Sequence, residues 1–538
     1  MLRATRPAPA LYRERAIWTD DVVGRALGRL AAERPRSLAL VEGSRRITCS
    51  ELDRLTAQVG RGLQRLGVGL GEVVLAQLPN WWEAIVVMQS VMQHRAVINP
   101  VVAIYREAEL RFILRQAGPK VVVTPHQFRG FDHLAMVRAL VAEMPAEQRP
   151  HIVVIRPAGE LAPGELSFED LVASGERAKS VGPTEDPAQP DDIALLLYTS
   201  GTTAAPKGAL HSHATLLYEC RSIADTFGLG REDHVFMASP LTHITGLLYG
   251  LLLPPLIGAP CVLLDVWDEK IAVDLIEDHA CRFTVSATPF LAGLNDEYRR
   301  RGQVSALRHF GCGGADVPPE LVRQATQTLD ANVVRIYGST EFPTFSCGRA
   351  TDSLADKAET DGYPIGPVEA RLDGDSDVGG ELLLRGPDLF LGYLDADLND
   401  ASFTEDGFFR TGDLAKIDER GAVTIIGRAK DIIIRKGEKI SAREVEDMLY
   451  QHPAIADAAV VAVPDPSLGE MAVAAIVIRS GQPELTVAEV SAFLAGFHVA
   501  KQKHPEAVVI LDELPRTSSG KIQKYLLRER FVRARAVG

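Results

Sequence analysis

A loop of small hydroxyl residues and glycines that ends in a lysine is the strongest chemical signal in this sequence. It follows an apolar run and reads Leu196-Leu197-Tyr198-Thr199-Ser200-Gly201-Thr202-Thr203-Ala204-Ala205-Pro206-Lys207-Gly208. Backbone N–H groups and hydroxyls in such a loop can surround phosphate oxygens, and a lysine adds a mobile positive charge. The loop is not a Walker A motif, because Pro206 and Gly208 flank Lys207 where that motif needs a glycine and a hydroxyl residue. The sequence predicts a phosphate site of another type; the alternative is a polar turn between a strand and a helix.

Four further short motifs follow the loop along the chain. They read Tyr337-Gly338-Ser339-Thr340-Glu341, Thr411-Gly412-Asp413, Gly427-Arg428-Ala429-Lys430-Asp431 and Pro515-Arg516-Thr517-Ser518-Ser519-Gly520-Lys521. The five motifs in this order resemble the adenylate-forming superfamily of acyl- and aryl-CoA synthetases, non-ribosomal adenylation domains and luciferases. The resemblance extends from about Trp18 to Leu527, and one departure is Ala204, where the family usually has glycine.

This resemblance implies ATP and Mg²⁺ as cofactors and assigns nucleotide-binding roles to matching positions. The implied phosphate ligands are Thr199, Ser200, Gly201, Thr202, Thr203 and Lys207, with Thr202 also near Mg²⁺. Tyr337 and Gly338 would contact adenine opposite a wall of Gly313, Gly314 and Ala315, Thr340 would contact the α-phosphate, and Asp413 and Arg428 would bind the ribose. Glu341 would hold Mg²⁺, a hard cation that prefers carboxylate and phosphate oxygens. Composition alone would leave these residues as turn, surface or strand-end positions.

The resemblance also implies that two half-reactions use different faces of a C-terminal domain. Lys521 would act in the first step, where its ammonium meets charge that develops on the carboxylate and α-phosphate oxygens. Lys430 would be the hinge, which needs only permissive backbone torsions. Rotation there would present Lys436, Gly437 and Lys439 to coenzyme A. Some relatives have a lysine where this chain has Ile434, so the thioester half-site departs further from the family pattern.

The implied acyl pocket contains no acidic residue that could pair with a substrate amino group. Its predicted lining is His243, Ile244, Thr245, Pro289 and Ser339, with neighbours at Ala287, Thr288, Phe290, Gly311, Cys312, Gly313 and Gly338. Relatives that recognise dihydroxybenzoate place a polar amide where this chain has Ile244. We therefore expect an uncharged, apolar acid that is medium-chain, alicyclic or simple aromatic. Pro79-Asn80-Trp81-Trp82-Glu83 and Ala287-Thr288-Pro289-Phe290 are similar to bacterial cyclohexanecarboxylate-type CoA ligases.

Three functions are compatible with these residues. The first is an AMP-forming acid–CoA ligase that makes an acyl-AMP and then an acyl-CoA thioester. The second is a stand-alone adenylation enzyme that loads an acid onto the phosphopantetheine of a partner carrier protein. The third is a non-catalytic ligand-binding relative, against which the presence of Lys521, Glu341 and Lys207 argues.

The elements that must position these residues indicate an α/β fold. Short Val/Ile/Leu runs such as Val73–Ala76 and Val121–Thr124 alternate with helical patterns over the first 340 residues, which is typical of sheets covered on both faces. We expect two α/β sheet subdomains and a small β-rich subdomain in residues 1–428, a hinge at 429–431, and a small mobile α+β domain at 432–538. Residues 244–264 carry no charge, but their glycines and prolines favour a buried helix, a Pro-Pro-x-x-Gly turn and a strand over a membrane span.

Composition limits the partners. The chain has 538 residues, 46% hydrophobic and 24% charged, which excludes a disordered or fibrous protein. With 58 basic against 71 acidic residues its net charge is −13, which gives no electrostatic footprint for nucleic acid. Six scattered cysteines without metal-site spacing, and an N-terminus without a signal peptide, favour the cytoplasm. A homodimer is a further prediction.

Overall fold

Two large sheets lie side by side in the N-terminal part of the protein. The computed structural model describes residues 4–6, 9–178, 188–199, 206–374, 379–435, 438–465, 467–497, 499–517 and 520–537. The nine strands of the first sheet are, from edge to edge, Tyr363–Pro364, Ser346–Cys347, Asn332–Tyr337, His309–Gly313, Cys281–Ser286, His234–Met237, Cys261–Leu263, Leu38–Glu42 and Arg45–Thr48. The seven strands of the second are Lys207–Ser212, Ile193–Thr199, Val97–Val101, Val73–Gln77, Val121–Pro125, His151–Ile155 and Leu166–Ser167.

Most interior strands of both sheets run parallel and are buried along their length. Val73–Gln77, Val97–Val101 and Val121–Pro125 are buried at every residue, as expected for strands with helices on both faces. In parallel sheets the carboxyl ends of the strands meet at one edge, where binding crevices form. Ile193–Thr199, His309–Gly313 and Asn332–Tyr337 all end at site residues predicted from the sequence.

A small antiparallel sheet follows, and a mixed sheet forms the C-terminal part. The small sheet orders Glu369–Asp373, Gly380–Arg385, Phe409–Ile417 and Val423–Arg428. The C-terminal sheet orders Glu438–Ser441, Ile432–Arg435, Gly469–Ile478 and Ile455–Asp465, with Ala507–Ile510 parallel to Gly469–Ile478. A two-stranded ribbon joins Gln127–Phe128 to Phe131–Asp132. This arrangement confirms the predicted α/β class with its β-rich subdomain and its smaller C-terminal α+β unit.

Helices cover the sheets and connect their strands. The α-helices are Leu11–Glu14, Arg25–Glu33, Cys49–Arg65, Trp82–Gln93, Glu107–Ala117, His133–Ala142, Phe168–Arg177, His213–Phe227, Ile244–Gly246, Leu253–Ile257, Glu269–Asp278, Thr288–Arg301, Pro319–Leu329, Leu354–Glu359, Asp397–Ser402, Ala442–Leu449, Val487–Ala495 and Lys524–Val537. The 3-10 helices are Ala146–Gln148, Ala429–Asp431 and Lys501–Lys503. Many begin at a side-chain cap, for example Ser212, which accepts from the N–H of Thr215 and satisfies an orphan donor of the first turn.

The uncharged stretch at residues 244–264 differs from its prediction in one respect. A π-helix at Leu247–Leu252 continues into Leu253–Ile257, so Pro254 and Pro255 lie in helix and not in a turn. Pro254 and Pro255 lack the N–H groups that continue a helical ladder, and the change from π-helix to α-helix falls immediately before them. The chain turns only at Gly258, whose φ is 75°, before the strand Cys261–Leu263. In the described part of the chain, no helix is long and apolar enough to cross a membrane.

Candidate active site

A cavity of about 730 Å³ opens where the two large sheets, the small sheet and the C-terminal part meet. It is lined by many of the predicted site residues: Thr199, Lys207, His243, Ile244, Thr245, Gly313, Gly314, Gly338, Ser339, Thr340, Glu341, Asp413, Arg428, Lys430 and Lys521. A smaller cavity of about 270 Å³ shares several of these residues and adds Ala315 and Tyr337. Residues up to 322 positions apart in sequence therefore reach one space, because the carboxyl ends of the parallel strands converge there and the loop that carries Lys521 enters it from the C-terminal part.

Asp413 is held between an aromatic hydroxyl and a guanidinium. Its Oδ2 accepts a 2.7 Å hydrogen bond from the hydroxyl of Tyr337, and its Oδ1 lies 2.9 Å from Nε of Arg428, its cross-strand partner. Asp413 is only 5% exposed. Burial, together with this carboxylate, raises the pKa of Tyr337 well above its usual value. Burial alone would lower the pKa of Arg428, but Asp413 raises it. The carboxylate is thus fixed at the rim of the cavity.

Glycines let the backbone of neighbouring strands close in beside Tyr337. A Cβ on Gly313 would lie 2.3 Å from the carbonyl oxygen of Ile336, and one on Gly338 would lie 1.8 Å from that of Pro343. Neither distance is compatible with a side chain. The two glycines therefore form a flat wall and a tight turn that a planar ring can approach.

Thr340 is positioned by a histidine that the sequence analysis missed. Nε2 of His211 donates to the carbonyl oxygen of Thr340 at 2.8 Å, and Nδ1 lies 3.1 Å from the hydroxyl of Thr215. His211 is fully buried, and burial lowers its pKa to about 4. The ring is therefore neutral at physiological pH and acts as a fixed donor. This hydrogen bond fixes the backbone at Thr340 and therefore also helps to position the next residue, Glu341.

Glu341 and Lys207 both contact one aromatic side chain, Tyr393, which the sequence analysis did not identify. The Tyr393 hydroxyl donates to Oε1 of Glu341 at 2.7 Å, and Nζ of Lys207 lies 5.1 Å from the Tyr393 ring centroid, within cation–π range. The backbone N–H of Phe390 donates to the carbonyl oxygen of Glu341 at 2.9 Å. One carboxylate beside a cavity suits Mg²⁺, which is usually bound by one or two carboxylates plus substrate phosphates. Among the described residues no group of three or more His, Cys, Asp or Glu side chains could hold a metal ion.

Lys521 lies on a tight loop of the C-terminal part that enters the cavity. Its N–H donates to the hydroxyl of Thr517 at 3.1 Å, its carbonyl accepts from Thr517 N–H at 2.8 Å, and Arg516 holds the carbonyl of Gly520. Burial lowers the pKa of Lys521 to about 8, and the nearby Arg428 adds to this effect. The loop thus brings the Lys521 ammonium, with its pKa of about 8, close to Asp413 in the cavity.

Four of the five residues predicted to line the acyl pocket, His243, Ile244, Thr245 and Ser339, line the larger cavity, and the part of the cavity that they line is called the acid lobe here. Ile244 is 5% exposed, and His243, whose pKa burial and the Lys521 charge lower to about 4, lines the same lobe. Pro289 stands apart at the start of its helix, where a Cβ on Gly520 would lie 3.2 Å from its ring. The hydroxyl of Ser339 is engaged by its own turn, since it accepts from the N–H groups of Glu341 and Phe342.

Several predicted positions lie outside the described residues. Ser200, Gly201, Thr202 and Thr203 of the phosphate loop are among them, with Ala204. Lys436 and Gly437 are outside as well, and the side chain of Lys439 is not described. The roles predicted for these residues rest on the family resemblance alone.

This fold and this site define an adenylate-forming enzyme. Residues 27–394 match the family described as AMP-binding enzyme, and residues 444–521 match the AMP-binding enzyme C-terminal domain. The chain therefore belongs to the AMP-binding enzyme family. It is 35% identical to a medium-chain fatty-acid–CoA ligase of Escherichia coli, over 97% of this chain and 93% of that protein.

Other relatives and solved structures agree over nearly the whole length. A salicylyl-CoA synthase / salicylate adenylyltransferase of a Streptomyces species is 32% identical over 98% of this chain and 96% of its own. ATP-bound MatB from Rhodopseudomonas palustris superposes with a TM-score of 0.82 at 27% identity, covering 94% and 98% of the two chains. An anthranilate CoA ligase in complex with anthranoyl-AMP superposes with a TM-score of 0.85 at 25% identity, covering 97% and 98%.

Proposed function

We propose that this protein is an ATP-dependent, AMP-forming acid–CoA ligase. In the first step a substrate carboxylate oxygen attacks the α-phosphorus of ATP, and the bond to the β-phosphate oxygen breaks to give acyl-AMP and pyrophosphate. In the second step the sulfur of coenzyme A attacks the acyl carbon, and AMP leaves. The carrying observation is that Lys521, the Asp413–Arg428 pair and Glu341 line one cavity although they come from different parts of the fold. Relatives named as acyl- and aryl-CoA ligases support this reading.

Described residues at the nucleotide end of the cavity would contact the adenine, the ribose, the α-phosphate and Mg²⁺. Asp413 would accept from the ribose hydroxyls while Arg428 and Tyr337 fix its orientation. Tyr337 would contact adenine across from the Gly313–Gly314–Ala315 wall. Thr340 would contact the α-phosphate, and Glu341 would hold Mg²⁺, which when bound neutralises phosphate charge.

Lys521 would supply the stabilising charge of the adenylation step. Its ammonium can meet the carboxylate and α-phosphate oxygens, where negative charge develops as the new bond forms. Burial and Arg428 lower its pKa to about 8, so it is mostly protonated at neutral pH. His243, with a pKa of about 4, is neutral at the same pH and would border the acid without adding charge.

Two domains would alternate about Lys430. We propose the boundaries 1–428 and 432–538, with the 3-10 helix Ala429–Asp431 as the hinge between them. Lys521 lines the cavity in the described arrangement, which supports assigning that arrangement to the adenylation step. A rotation would withdraw Lys521 and bring Lys436, Gly437 and Lys439 to coenzyme A.

The acid lobe favours an apolar substrate. Ile244, Val285, Ile336 and Pro343 give it apolar walls, and the close backbone approach at Gly313 and Gly338 keeps those walls flat. The acidic residues in the described lining of the whole cavity are Glu109, Glu341, Glu381 and Asp413, and none of them belongs to the residues assigned to the acid lobe. An amino group would therefore lack a partner, so a medium-chain, alicyclic or simple aromatic acid fits best.

A panel of acids scored by AMP formation, with and without coenzyme A, tests this function. The proposal expects apolar acids to give acyl-AMP and pyrophosphate alone, and AMP plus thioester when coenzyme A is added. Pyrophosphate release with transfer only to a carrier protein's phosphopantetheine would instead identify a carrier-loading enzyme. Absence of pyrophosphate release with every acid would contradict adenylation. A homodimer and a cytoplasmic location stay predictions, which light scattering and cell fractionation test.

A further inference from the structure

The N-terminal arm, defined here as residues 4–6 and 9–18, packs against the segment that carries Tyr393. The arm lies before residue 27, where the match to the AMP-binding enzyme family begins. Nε1 of Trp18, a side chain that is 4% exposed, donates to the carbonyl oxygen of Pro387 at 2.9 Å. Four residues after Pro387, the carbonyl oxygen of Leu391 accepts a 3.2 Å hydrogen bond from the N–H of Arg6. The arm therefore holds residues 387–393 at Pro387 and at Leu391.

Thr5 closes a ring of hydrogen bonds around the backbone of Tyr393. The Thr5 hydroxyl donates to the Tyr393 carbonyl at 2.8 Å and accepts from the Nδ2 group of Asn399 at 3.2 Å. The Oδ1 atom of Asn399 in turn accepts from the Tyr393 N–H at 3.0 Å. Both backbone polar groups of Tyr393 are thus fixed, one directly by the arm and one through Asn399.

The contact between the arm and this segment is close enough to depend on a glycine. Gly392 has a φ of 91°, and a Cβ there would lie 2.3 Å from the Thr5 hydroxyl. The guanidinium of Arg6 lies 3.4 Å from the centroid of the Phe403 ring, which stacks on Phe390. The arm is therefore fitted to this surface and is not a loose covering.

Tyr393 connects this contact to the phosphate end of the cavity. Its hydroxyl donates to Glu341 at 2.7 Å and its ring lies beneath Lys207 at 5.1 Å. A shift of the Tyr393 backbone would move both contacts together. Groups that orient a metal-binding carboxylate typically change metal affinity or activity by about 10- to 100-fold when they are removed.

We propose that the N-terminal arm is a functional part of the active site, with Thr5 as a positioning residue for Tyr393 and, through it, for Glu341 and Lys207. Loss of the Thr5 hydroxyl weakens the use of Mg²⁺–ATP without disturbing acid binding. This inference rests on the proposed function in one respect, the assignment of Glu341 and Lys207 to Mg²⁺–ATP.

The test compares Thr5→Val with Thr19→Val. Valine keeps the shape of threonine and removes only the hydroxyl. Thr19 is an exposed threonine just after the arm whose hydroxyl accepts only from the nearby N–H of Asp21 among the described hydrogen bonds, so Thr19→Val is the matched control. In Thr5→Val we expect the KM for Mg²⁺–ATP in pyrophosphate release to rise roughly five-fold, the value of one neutral hydrogen bond. The KM for the acid should stay unchanged, and Thr5→Ser should restore the wild-type KM for Mg²⁺–ATP.

Binding of Mg²⁺–ATP, measured by calorimetry in the absence of acid, separates this inference from the proposed function. Weaker binding in Thr5→Val than in Thr19→Val supports the arm's role even if no acid in the panel is activated. Equal binding and equal KM for Mg²⁺–ATP in the two variants would overturn it, whatever the acid specificity. A parallel rise of the acid KM, or a failure of Thr5→Ser to restore the wild-type KM, would reduce the arm to a general stabilising element and would also overturn it.

Discussion

Arg443 and Asp316 face each other across the boundary between the C-terminal part and the rest of the protein, with Nη1 and Oδ1 3.5 Å apart. Crowding by protein atoms alone would raise the pKa of Asp316, whose side chain is still 42% exposed, but the Arg443 guanidinium and nearby lysines hold this pKa below its usual value. Arg443 is 8% exposed and also lies 3.9 Å from Asp447. The pair therefore favours the arrangement in which Lys521 lies in the cavity.

Arg443→Ala should shift the protein away from the adenylation arrangement. Asp316 would lose its partner in this arrangement but would be free to meet water in another. We expect pyrophosphate release to fall roughly three- to ten-fold, since the carboxylate is partly exposed and the pair is worth less than a fully buried one. Conversion of supplied acyl-AMP and coenzyme A to thioester should not fall. Arg420→Ala, which removes an exposed guanidinium paired with Asp356, is the control; equal rates in both variants would show that the Arg443 pair has no such role.

The adenylation step should lose activity as pH rises through about 8. Burial and Arg428 lower the pKa of Lys521 to about 8, so its ammonium is present below that pH and lost above it. Only the charged form can stabilise the transition state. The pyrophosphate-release rate should therefore decline above pH 8, whereas thioester formation from supplied acyl-AMP should show no such decline. Lys521→Arg should flatten the profile because a guanidinium stays charged; a wild-type adenylation rate that keeps rising to pH 9.5 would contradict the assignment.

Ile244→Asn should shift acid preference toward hydroxylated aryl acids. Ile244 is 5% exposed and lines the acid lobe, so an amide there would need a hydrogen-bond partner that an apolar acid cannot supply. We expect the ratio of kcat/KM for a hydroxybenzoate over a medium-chain acid to rise roughly ten-fold. Ile244→Val controls for the change in packing. An acid profile identical to that of the valine variant would mean that position 244 does not face the substrate.

Much of the fold could be predicted because its strands are short and uniformly apolar. The predicted Val121–Thr124 run is part of the strand Val121–Pro125, and Val73–Ala76 is part of Val73–Gln77. The helix through Pro254 was not foreseen, because two consecutive prolines followed closely by Gly258 predict a turn. The C-terminal helix Lys524–Val537 was not foreseen either, since its six charged residues are interspersed with its apolar ones and, among its described side chains, only Leu527 and Phe531 are buried.

The site itself was predictable where a motif or the family resemblance marked it. Asp413, Arg428 and Lys521 stand in motifs and reach the cavity as expected. His211 and Tyr393 stand in no motif and were not predicted. Their hydrogen-bond partners, Thr340 and Glu341, are 129 and 52 positions away, and nothing local in the sequence indicates such a pairing. Hydrogen bonds of this range become visible only when the strands and their connections are placed in space.

Lys430→Pro should impair the second half-reaction more than the first. Proline holds φ near roughly −65°, which suits the 3-10 helix Ala429–Asp431 but forbids a rotation that needs another torsion. Pyrophosphate release should be largely kept, and thioester formation from supplied acyl-AMP should fall. Lys430→Ala, which leaves the backbone free, should retain both steps. Normal turnover of coenzyme A in the proline variant would argue against a hinge at this residue.

The separate rates of the two half-reactions in Lys521→Ala test the central claim most directly. Charge at the α-phosphate develops only during adenylation, and removing one such donor typically costs about 10²–10³ in rate. Pyrophosphate release should fall to that degree, while supplied acyl-AMP and coenzyme A should still give thioester at the wild-type rate. An equal loss in both steps, or no loss in pyrophosphate release, would contradict a lysine that acts in adenylation alone.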